Sequence, residues 1–581
     1  MNIYNILKIE IEKIKILLQA EQKLTFDSST HFSIETPKEK LQGDISTNVA
    51  IVYAKSAKMS PRALAEAFIT ELEKLDFIEK AEIAGPGFIN FFLKASLWYE
   101  ILAAINERGT YYGDCTIGEG LSINLEYVSV NPTGPMHIGH ARCAAYGDSL
   151  SLVLKKAGYD VTKEYYINDA GKQIDVLAES AYLRYLEALG QQINIPSGLY
   201  PGDYLIQTGN NLAQEFDDKL STLDKEEAIK IIRPLVTNQM MDLIKHDLAN
   251  LGIYHDEFIS ELNEVREEGL IEEGIELLKH KGLIYQGTLE KPKGHEVEDW
   301  EEQEQIIFKS TQFGDDQDRV VIKPDGTYTY FAGDIGYALH KIKRGFDKFL
   351  YVLGADHAGY VKRLKSIVQA LSDGKIECEV KICQLVNFLQ NGQELKMSKR
   401  AGNYVTVEDI YNMVGKDVIR LMMLTRKNDI SLNFDVATVK EQSKDNPVFY
   451  IQYAYARIRS VGRMVKLEHP DLFEEFEDGK IDLSLLSLPH EINLIKLMAS
   501  WPKIVESAAI HHEPHRIIFY AQELASQFHA LWNMGREDPT MRFIVKNNPQ
   551  LTQSRLFFTE AIANILASSM LLCNVQPMEE M

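Results

Sequence analysis

The feature that most constrains the fold is an apolar, β-branched stretch, Ser122–Val130, that is broken abruptly and followed by a helical pattern. Asn131–Pro135 carries the Asn, Pro and Gly residues that end strands, and Ala141–Lys156 then has apolar residues at helical spacing. His137 and His140 therefore lie where a buried strand gives way to a helix N-terminus. Because unpaired backbone N–H groups and the positive end of the helix dipole point out of a sheet there, we predict a phosphate-binding junction.

The sequence at this junction is also specific in its residue types. Two imidazoles three residues apart add hydrogen-bond donors aimed at one anion, and a glycine between them leaves room for the flat base of a nucleotide. The string His137-Ile138-Gly139-His140 resembles the first signature of class I aminoacyl-tRNA synthetases. The resemblance implies a doubly wound parallel sheet that binds ATP, although related adenylyl and cytidylyl transferases also use His-x-Gly-His.

A second charged loop lies far downstream, at Lys396-Met397-Ser398-Lys399-Arg400, between turn residues. Two lysines that flank a serine in a short loop can fold over a polyphosphate and neutralise charge as pyrophosphate leaves. The loop resembles the second class I signature, with both lysines present. The two resemblances imply catalytic roles for His137, His140, Lys396 and Lys399, and ATP binding by Pro135, His137, Gly139, His140, Lys396, Met397, Ser398 and Lys399.

Length and composition are those of a soluble globular protein with three or four domains: 581 residues, 45% apolar and 25% charged. No apolar run reaches membrane-spanning length, and the N-terminus reads as an amphipathic helix rather than a signal peptide, so we expect a cytoplasmic protein without a membrane partner. The five cysteines form no Cys-x-x-Cys pair, which predicts reduced thiols and no structural zinc. The net charge of −22 still allows a nucleic-acid partner that is bound by selected basic faces.

Residues 1–110 are predicted to form a small α/β domain, with helices at 5–19 and 61–75 and strands at 31–35 and 81–93. Residues 43–48 read as a turn, and 49–57 as the helix that follows it. The Gly-Asp-x-x-x-Asn-x-Ala run from Gly43 and the Gly-Pro-Gly-Phe-Ile-Asn strand from Gly85 resemble the N-terminal domain of arginyl-tRNA synthetases. That resemblance implies contact with the elbow of tRNA, while a purely structural unit remains the alternative.

Residues 111–440 are predicted to form the catalytic domain, with a helix-rich insertion at about 176–300. Its second strand is expected at Asp160–Ile167, and 428–435 reads as a polar hinge. Residues 441–581 are predicted to be an all-α bundle. The string from Asn446 to Ile458 resembles the anticodon-binding bundle of the bacterial arginine enzymes. Four cations of this bundle are candidates for phosphate contact, with a solvated helix face as the alternative: Arg457, Arg459, Arg463 and Lys466.

A planar guanidinium needs carboxylates and a hydroxyl around it, because only charged, correctly angled acceptors offset its desolvation. Glu126, Tyr330 and Asp334 supply such a set, and the resemblance places them around the side chain of arginine. It also places Ser129, Asn131 and the Asp356-His357 region near the α-amino and carboxyl ends of the substrate. The alternatives are that Asp334 caps a helix beginning at Ile335 and that Glu126 pairs with a surface lysine.

The resemblance therefore implies an arginine–tRNA ligase that uses ATP with Mg²⁺, binds tRNA-Arg and acts as a monomer. Two other classes remain open. A sister class I enzyme for another amino acid would share both signatures but lack the acidic set, and a non-catalytic RNA-binding descendant would be expected to lose the histidines and lysines.

Overall fold

The computed structural model describes residues 1–22, 24–37, 43–289, 303–394, 405–441, 446–468, 470, 481–545 and 547–581. A five-stranded parallel sheet occupies the centre of the chain, preceded by an antiparallel α/β domain and followed by a helical bundle. The predicted fold class, a doubly wound α/β catalytic domain with a small N-terminal α/β domain and a C-terminal all-α bundle, is confirmed.

The N-terminal domain contains α1 (Ile3–Gln22), β1 (Ile34–Glu35), β2 (Ile45–Thr47), α2 (Val49–Ala57), α3 (Pro61–Leu72), β3 (Ile78–Ala84) and β4 (Phe88–Leu93), and α4 (Ala95–Arg108) leads out of it. Its strands form an antiparallel sheet in the order β1-β2-β4-β3. α3 begins where expected, because Ser60 accepts a hydrogen bond from the backbone N–H of Ala63 and Pro61 occupies the first helical position. The turn predicted at 43–48 is partly wrong, since its second half is the strand β2.

The central region runs through β5 (Ser122–Tyr127), α5 (Ile138–Lys156), β6 (Asp160–Ile167), α6 (Lys172–Ala188), α7 (Tyr204–Phe216), α8 (Lys225–Asn250), β7 (Glu257–Ser260), α9 (Leu270–His280), β8 (Ile284–Gly287), β9 (Gln305–Phe308) and β10 (Arg319–Ile322). It continues with α10 (Tyr330–Lys343), β11 (Lys348–Gly354), α11 (Val361–Ser372), β12 (Glu377–Cys383), β13 (Val386–Gln390), β14 (Gln393–Glu394), α12 (Val407–Val414), α13 (Lys416–Met423), β15 (Leu432–Asp435) and α14 (Val436–Lys440).

The parallel sheet has the order β12-β11-β5-β6-β7, so β5 is its central strand. Glu126 of β5 lies opposite Glu164 of β6 and Tyr351 of β11. The carboxyl ends of the strands meet at one edge, which is where open α/β sheets bind ligands. α5 packs closely on β5 because Gly147 faces the ring of Tyr127, where an added Cβ would lie only 2.3 Å from a ring carbon.

Several strands were not foreseen, among them β7 and β15. β7 lies inside 176–300, which was predicted as an insertion, yet it pairs in parallel with β6 and forms the edge of the main sheet. β15 lies inside the predicted polar hinge and pairs in parallel with β13. Both have four residues, too few for the alternation that identifies a strand in sequence.

The C-terminal bundle consists of α15 (Pro447–Glu468), α16 (Pro489–Ala499), α17 (Trp501–His511), α18 (His515–Glu537) and α19 (Pro549–Leu571). The prediction that its four candidate cations are exposed is only partly right. Arg463 and Lys466 are exposed, whereas Arg457 is enclosed between two aromatic rings and Arg459 forms an ion pair with Glu560. Within the described ranges, no helix combines the length and apolarity needed to cross a membrane.

Candidate active site

The central strand β5 ends in a sharp bend rather than continuing to Val130 as predicted. Val128 and Ser129 have φ angles of 73° and 40°, in the left-handed region that side chains rarely adopt. The hydroxyl of Tyr165 holds the far side of the bend by donating to the carbonyl oxygen of Val130 at 2.7 Å. Strained backbone of this kind is concentrated at functional sites, because the surrounding structure must enforce it.

The loop that follows is held by side chains from the stretch predicted as an insertion. Tyr204, the first residue of α7, donates its hydroxyl to the carbonyl oxygen of Thr133 at 2.6 Å. Asp247 of α8 is buried and accepts the backbone N–H of Met136 at 2.8 Å. The helices of this region therefore fix the segment that leads into the two histidines, a role for which the sequence offered no signal.

The two histidines form the first turn of α5. The helix begins at Ile138 rather than at the predicted Ala141, because His137 is its N-cap and accepts the backbone N–H of Gly139 on Nδ1 at 3.1 Å. His140 accepts the backbone N–H of His137 on its own Nδ1 at 3.2 Å, and the two rings stack with centroids 3.6 Å apart. Since both Nδ1 atoms accept, the neutral rings carry their hydrogen on Nε2.

A glycine is required at position 139 for a steric reason that the sequence did not reveal. A Cβ at this position would lie 3.0 Å from Cε1 and 3.1 Å from Nδ1 of the His137 ring. The glycine thus lets the ring fold back over the helix N-terminus and lets its own N–H reach that ring.

The charged loop predicted over the nucleotide, with Lys396, Met397, Ser398 and Lys399, lies outside the described residues. The chain that follows it is anchored at the histidine junction: Thr406 forms an antiparallel bridge with His137, and the N–H of Val407 donates to the carbonyl oxygen of Met136 at 2.9 Å. Thr406 also caps α12 by accepting the N–H of Asp409 at 3.0 Å.

One face of α10 carries a polar stripe toward the carboxyl edge of β5. Tyr330, Asp334, Tyr337 and Lys341 recur every three or four residues and so share this face. Their exposure falls along the helix, from 68% for Tyr330 to 0% for Lys341. We call these four residues the pocket face of α10, which leads from solvent into the interior of the sheet.

Asp334 is the exceptional group on this face. α10 begins at Tyr330, five residues earlier than the alternative of a capping aspartate requires, so that alternative is wrong. Its Oδ2 atom is buried and has no hydrogen-bond partner among the described residues. Burial first, and then the negative charges of Glu261 and Glu126, raise the pKa of Asp334 to about 7, although Arg363 opposes the shift. A carboxylate with a buried, unsatisfied oxygen is suited to a cationic ligand that supplies donors.

Glu126 is buried and engaged from two sides. Its Oε1 accepts the hydroxyl of Ser129 at 3.1 Å, and its Oε2 accepts the ammonium of Lys341 at 2.6 Å and the hydroxyl of Tyr337 at 2.9 Å. Glu126 therefore does pair with a lysine, but the lysine is fully buried rather than at the surface. Lys341 also approaches Oε1 of Glu164 at 3.3 Å.

The remaining predicted residues lie toward the rim of this edge. Asn131 donates through Nδ2 to Gln173 at 2.9 Å. The side chain of His357 is 53% exposed, its Nε2 lies 3.4 Å from Oδ2 of Asp356, and its ring meets Tyr360 edge-on. The structure thus joins Glu126 and Ser129 by a direct contact and leaves Tyr330 and His357 accessible to solvent.

Sequence reasoning missed Glu164, Tyr337 and Lys341. Tyr337 and Lys341 had a signal, since they lie three and seven residues after Asp334 and so share its helix face. Glu164 had none, because its position opposite Glu126 depends on the register of two parallel strands. Within the described ranges, no group of three His, Cys, Asp or Glu side chains is arranged to hold a metal ion, and the five cysteines are free thiols.

Comparison with known proteins covers almost the whole chain. Residues 5–93 match the arginyl tRNA synthetase N terminal domain, residues 102–458 match the catalytic domain of class I (R) tRNA synthetases, and residues 451–581 match the DALR anticodon binding domain. A curated arginine–tRNA ligase from Rickettsia felis is 49% identical over 581 residues, and one from Rickettsia prowazekii is 49% identical over 583, each match covering 100% of both chains.

Solved structures agree in fold. Thermus thermophilus arginyl-tRNA synthetase superposes with a TM-score of 0.74 at 18% identity, covering 100% of both chains. The arginyl-tRNA synthetase of Plasmodium falciparum gives a TM-score of 0.68 at 16% identity, covering 100% of this chain and 99% of the other. With the stacked histidine pair, the parallel sheet and these full-length matches together, the chain belongs to the class I arginyl-tRNA synthetase family.

Proposed function

We propose that the chain is an arginine–tRNA ligase that works in two steps at the carboxyl edge of β5. In the first step the carboxylate of L-arginine attacks the α-phosphate of ATP, so that arginyl-adenylate forms and pyrophosphate leaves. In the second step the ribose hydroxyl of the terminal adenosine of tRNA-Arg, the 2′ one by class I analogy, takes the arginyl group and AMP leaves. Arginine, ATP and tRNA are the partners that family membership implies.

The pocket face of α10 and the end of β5 are proposed to hold the substrate side chain. Asp334 offers a buried oxygen without a partner, and Glu126 offers a second carboxylate close enough to influence its pKa. A guanidinium between them can donate to both, while Tyr330 at the mouth supplies a hydroxyl. Family resemblance adds Ser129, Asn131 and His357 as contacts for the α-amino and carboxyl groups.

The histidine junction is proposed to hold the nucleotide, through Pro135, His137, Gly139 and His140. The Nε2–H groups of the two rings and the N-terminus of α5 supply donors and positive potential for the phosphates. Lys396, Met397, Ser398 and Lys399 are proposed to complete the site, and the anchoring of Thr406 beside His137 supports this, since it leads the chain after that loop to the junction. Mg²⁺ enters with ATP as part of the substrate complex.

The histidines and lysines are the proposed catalytic groups. They stabilise negative charge that grows on the phosphates as the bond to pyrophosphate breaks, and interactions that strengthen in the transition state raise the rate. Removing one such donor commonly costs about 3 kcal/mol in the barrier.

The domain boundaries stay a proposal as well: 1–110 for contact with tRNA, 111–440 for catalysis and 441–581 for the anticodon. We further propose that the chain acts as a monomer in the cytoplasm and needs no structural zinc.

The observation that carries the amino-acid assignment is the unpartnered buried oxygen of Asp334 beside Glu126. The experiment is charging of bulk tRNA with each of the labelled amino acids in turn, in the presence of ATP and Mg²⁺. We expect charging with arginine alone. Charging with a different amino acid would indicate a sister enzyme, and no charging with any would indicate a non-catalytic RNA-binding protein.

A further inference from the structure

A buried cluster of polar and charged side chains lies beneath the proposed arginine pocket, and we call it the floor cluster: Glu126, Glu164, Tyr337 and Lys341. The Nζ atom of Lys341 lies 2.6 Å from Oε2 of Glu126 and 3.3 Å from Oε1 of Glu164. The hydroxyl of Tyr337 lies between the same two carboxylates, donating its single hydrogen to one of them at a time. The side chains of Lys341 and Glu164 are both 0% exposed.

The arrangement is tightly enclosed by aromatic rings. The ammonium of Lys341 faces the ring of Tyr337 at 4.5 Å and the ring of Tyr351 at 4.1 Å. The ring of Tyr337 in turn stacks on Tyr166 at 4.0 Å. Because water is excluded, the charges in this cluster act on one another with little screening.

Glu126 and Glu164 would repel each other without a cation. They lie directly opposite in the register of β5 and β6, and two carboxylates that share a buried site cannot both stay ionised. Although burial alone would raise the pKa of Glu164, the charges of Lys341 and Arg344 lower it to about 2. Glu164 therefore remains negative at neutral pH. Arg344 pairs with its Oε2 atom from the partly exposed side, and Lys341 is the buried cation that lies between Glu164 and Glu126.

We propose that Lys341 is a positioning residue for arginine recognition, which holds Oε2 of Glu126 and offsets the repulsion from Glu164, so that the carboxylate of Glu126 stays aimed at the pocket. The inference deepens the proposed function and rests on it. Lys341 does not touch the substrate in this account. It acts through Glu126, whose carboxylate offers the charge-assisted hydrogen bond that a guanidinium needs.

Ionisable groups from every element packed against Glu126 and Lys341 surround these two residues. They are Glu164 and Tyr166 of β6, Tyr351 of β11, Cys378 of β12, Asp334 and Tyr337 of α10, Arg344 after α10, Glu261 and Arg266 of the π-helix at 261–266, and Arg363 of α11. Among these, Asp334 has a pKa of about 7. A pH profile of the wild-type protein is therefore expected to report Asp334 first.

The test compares variants by tRNA charging with labelled arginine at saturating ATP, fitting kcat and the KM for arginine between about pH 6 and pH 9. We expect Lys341→Met to raise the KM for arginine about tenfold or more, because breaking one partner of a buried ion pair is costly. The KM for ATP should stay within about twofold. The KM for arginine of the wild-type protein should fall as Asp334 ionises and level off above about pH 8.

The double variant Lys341→Met/Glu164→Gln separates charge balance from simple packing. It removes the cation and the second carboxylate together, so we expect the KM for arginine to return to within about threefold of wild type. Lys348→Met is the matched control, since it breaks a partly buried lysine pair with Glu379 at the opposite end of β11. It should leave the KM for arginine unchanged.

An unchanged KM for arginine in Lys341→Met, or a rise that persists in the double variant, would overturn the inference. If Lys341→Met fails to fold, the double variant decides alone: recovery to near wild type supports charge balance, and a rise of about tenfold contradicts it. If the wild-type protein does not charge tRNA with arginine, the proposed function fails instead.

Discussion

The carboxylate of Asp334 makes a prediction that joins arginine binding to proton release. Its pKa is raised from 3.8 to about 7 by burial and by the charges of Glu261 and Glu126. A guanidinium that pairs with this carboxylate must lower its pKa again, so binding expels whatever proton is present. We expect the release of about 0.9 protons at pH 6, about 0.5 at pH 7 and about 0.1 at pH 8.

The raised pKa of Asp334 also makes the free energy of unfolding depend on pH. An acid with a raised pKa in the native state destabilises that state increasingly as pH rises from about 4 to 7, because the unfolded chain is already ionised. At about 1.4 kcal/mol per pKa unit, ionised Asp334 costs the native state about 4 kcal/mol above pH 7. Asp334→Asn should therefore raise the thermal midpoint at pH 8 and raise it progressively less toward pH 4, while arginine binding is lost.

The assay is calorimetric titration of arginine at about pH 6, 7 and 8, in two buffers of different ionisation enthalpy, whose difference yields the protons released. Asp417→Asn is the matched control. Asp417 also has a pKa raised by burial, but it lies on α13, outside the pocket face of α10. That control should alter stability and leave proton release intact. The reasoning is refuted if wild-type protein releases no proton at pH 6, or if the stability gain of Asp334→Asn is the same at pH 5 and pH 8.

Three further predictions concern the nucleotide side. His137→Asn should keep the cap of α5 and change the thermal midpoint little. His137→Ala should lose the cap, which lowers the free energy of unfolding by about 1 kcal/mol. Both should slow adenylate formation by about a hundredfold in single-turnover assays, and equal rates for His137→Asn and wild type would contradict the role of Nε2. Gly139→Ala should lower kcat about tenfold at nearly unchanged stability, since its Cβ would press on the His137 ring. Pre-steady-state rates measure this effect. A wild-type kcat in the variant would show that contact between the added Cβ and the His137 ring does not disturb catalysis. Lys399→Ala should slow adenylate formation at least about tenfold while tRNA affinity stays nearly intact, and single-turnover rates equal to wild type would rule out its role.

Local sequence patterns predicted much of the catalytic half, because the strand, the break and the helix around the histidine junction are each encoded within a few residues. The helix beginning was misplaced by three residues, since a histidine in the capping position is not among the usual capping types. Asp334 was placed on the right helix but read as a possible cap. The start of α10 at Tyr330 became visible only from the hydrogen bonds of its first turn.

Short strands were hidden for a different reason. β7 and β15 gain their stability from pairing with strands that are distant in the chain, β6 and β13. A four-residue segment is too short to show a periodicity that would indicate such a partner.

The sequence alone indicated the class of chemistry, through two loops that resemble the class I signatures and an acidic set suited to a guanidinium. Only the tertiary structure decided how that acidic set is balanced. Strand register brings Glu164 opposite Glu126, and the turn of α10 inserts Lys341 between them. Charges act through space, so the ionisation of a buried carboxylate depends on neighbours that the chain order does not reveal.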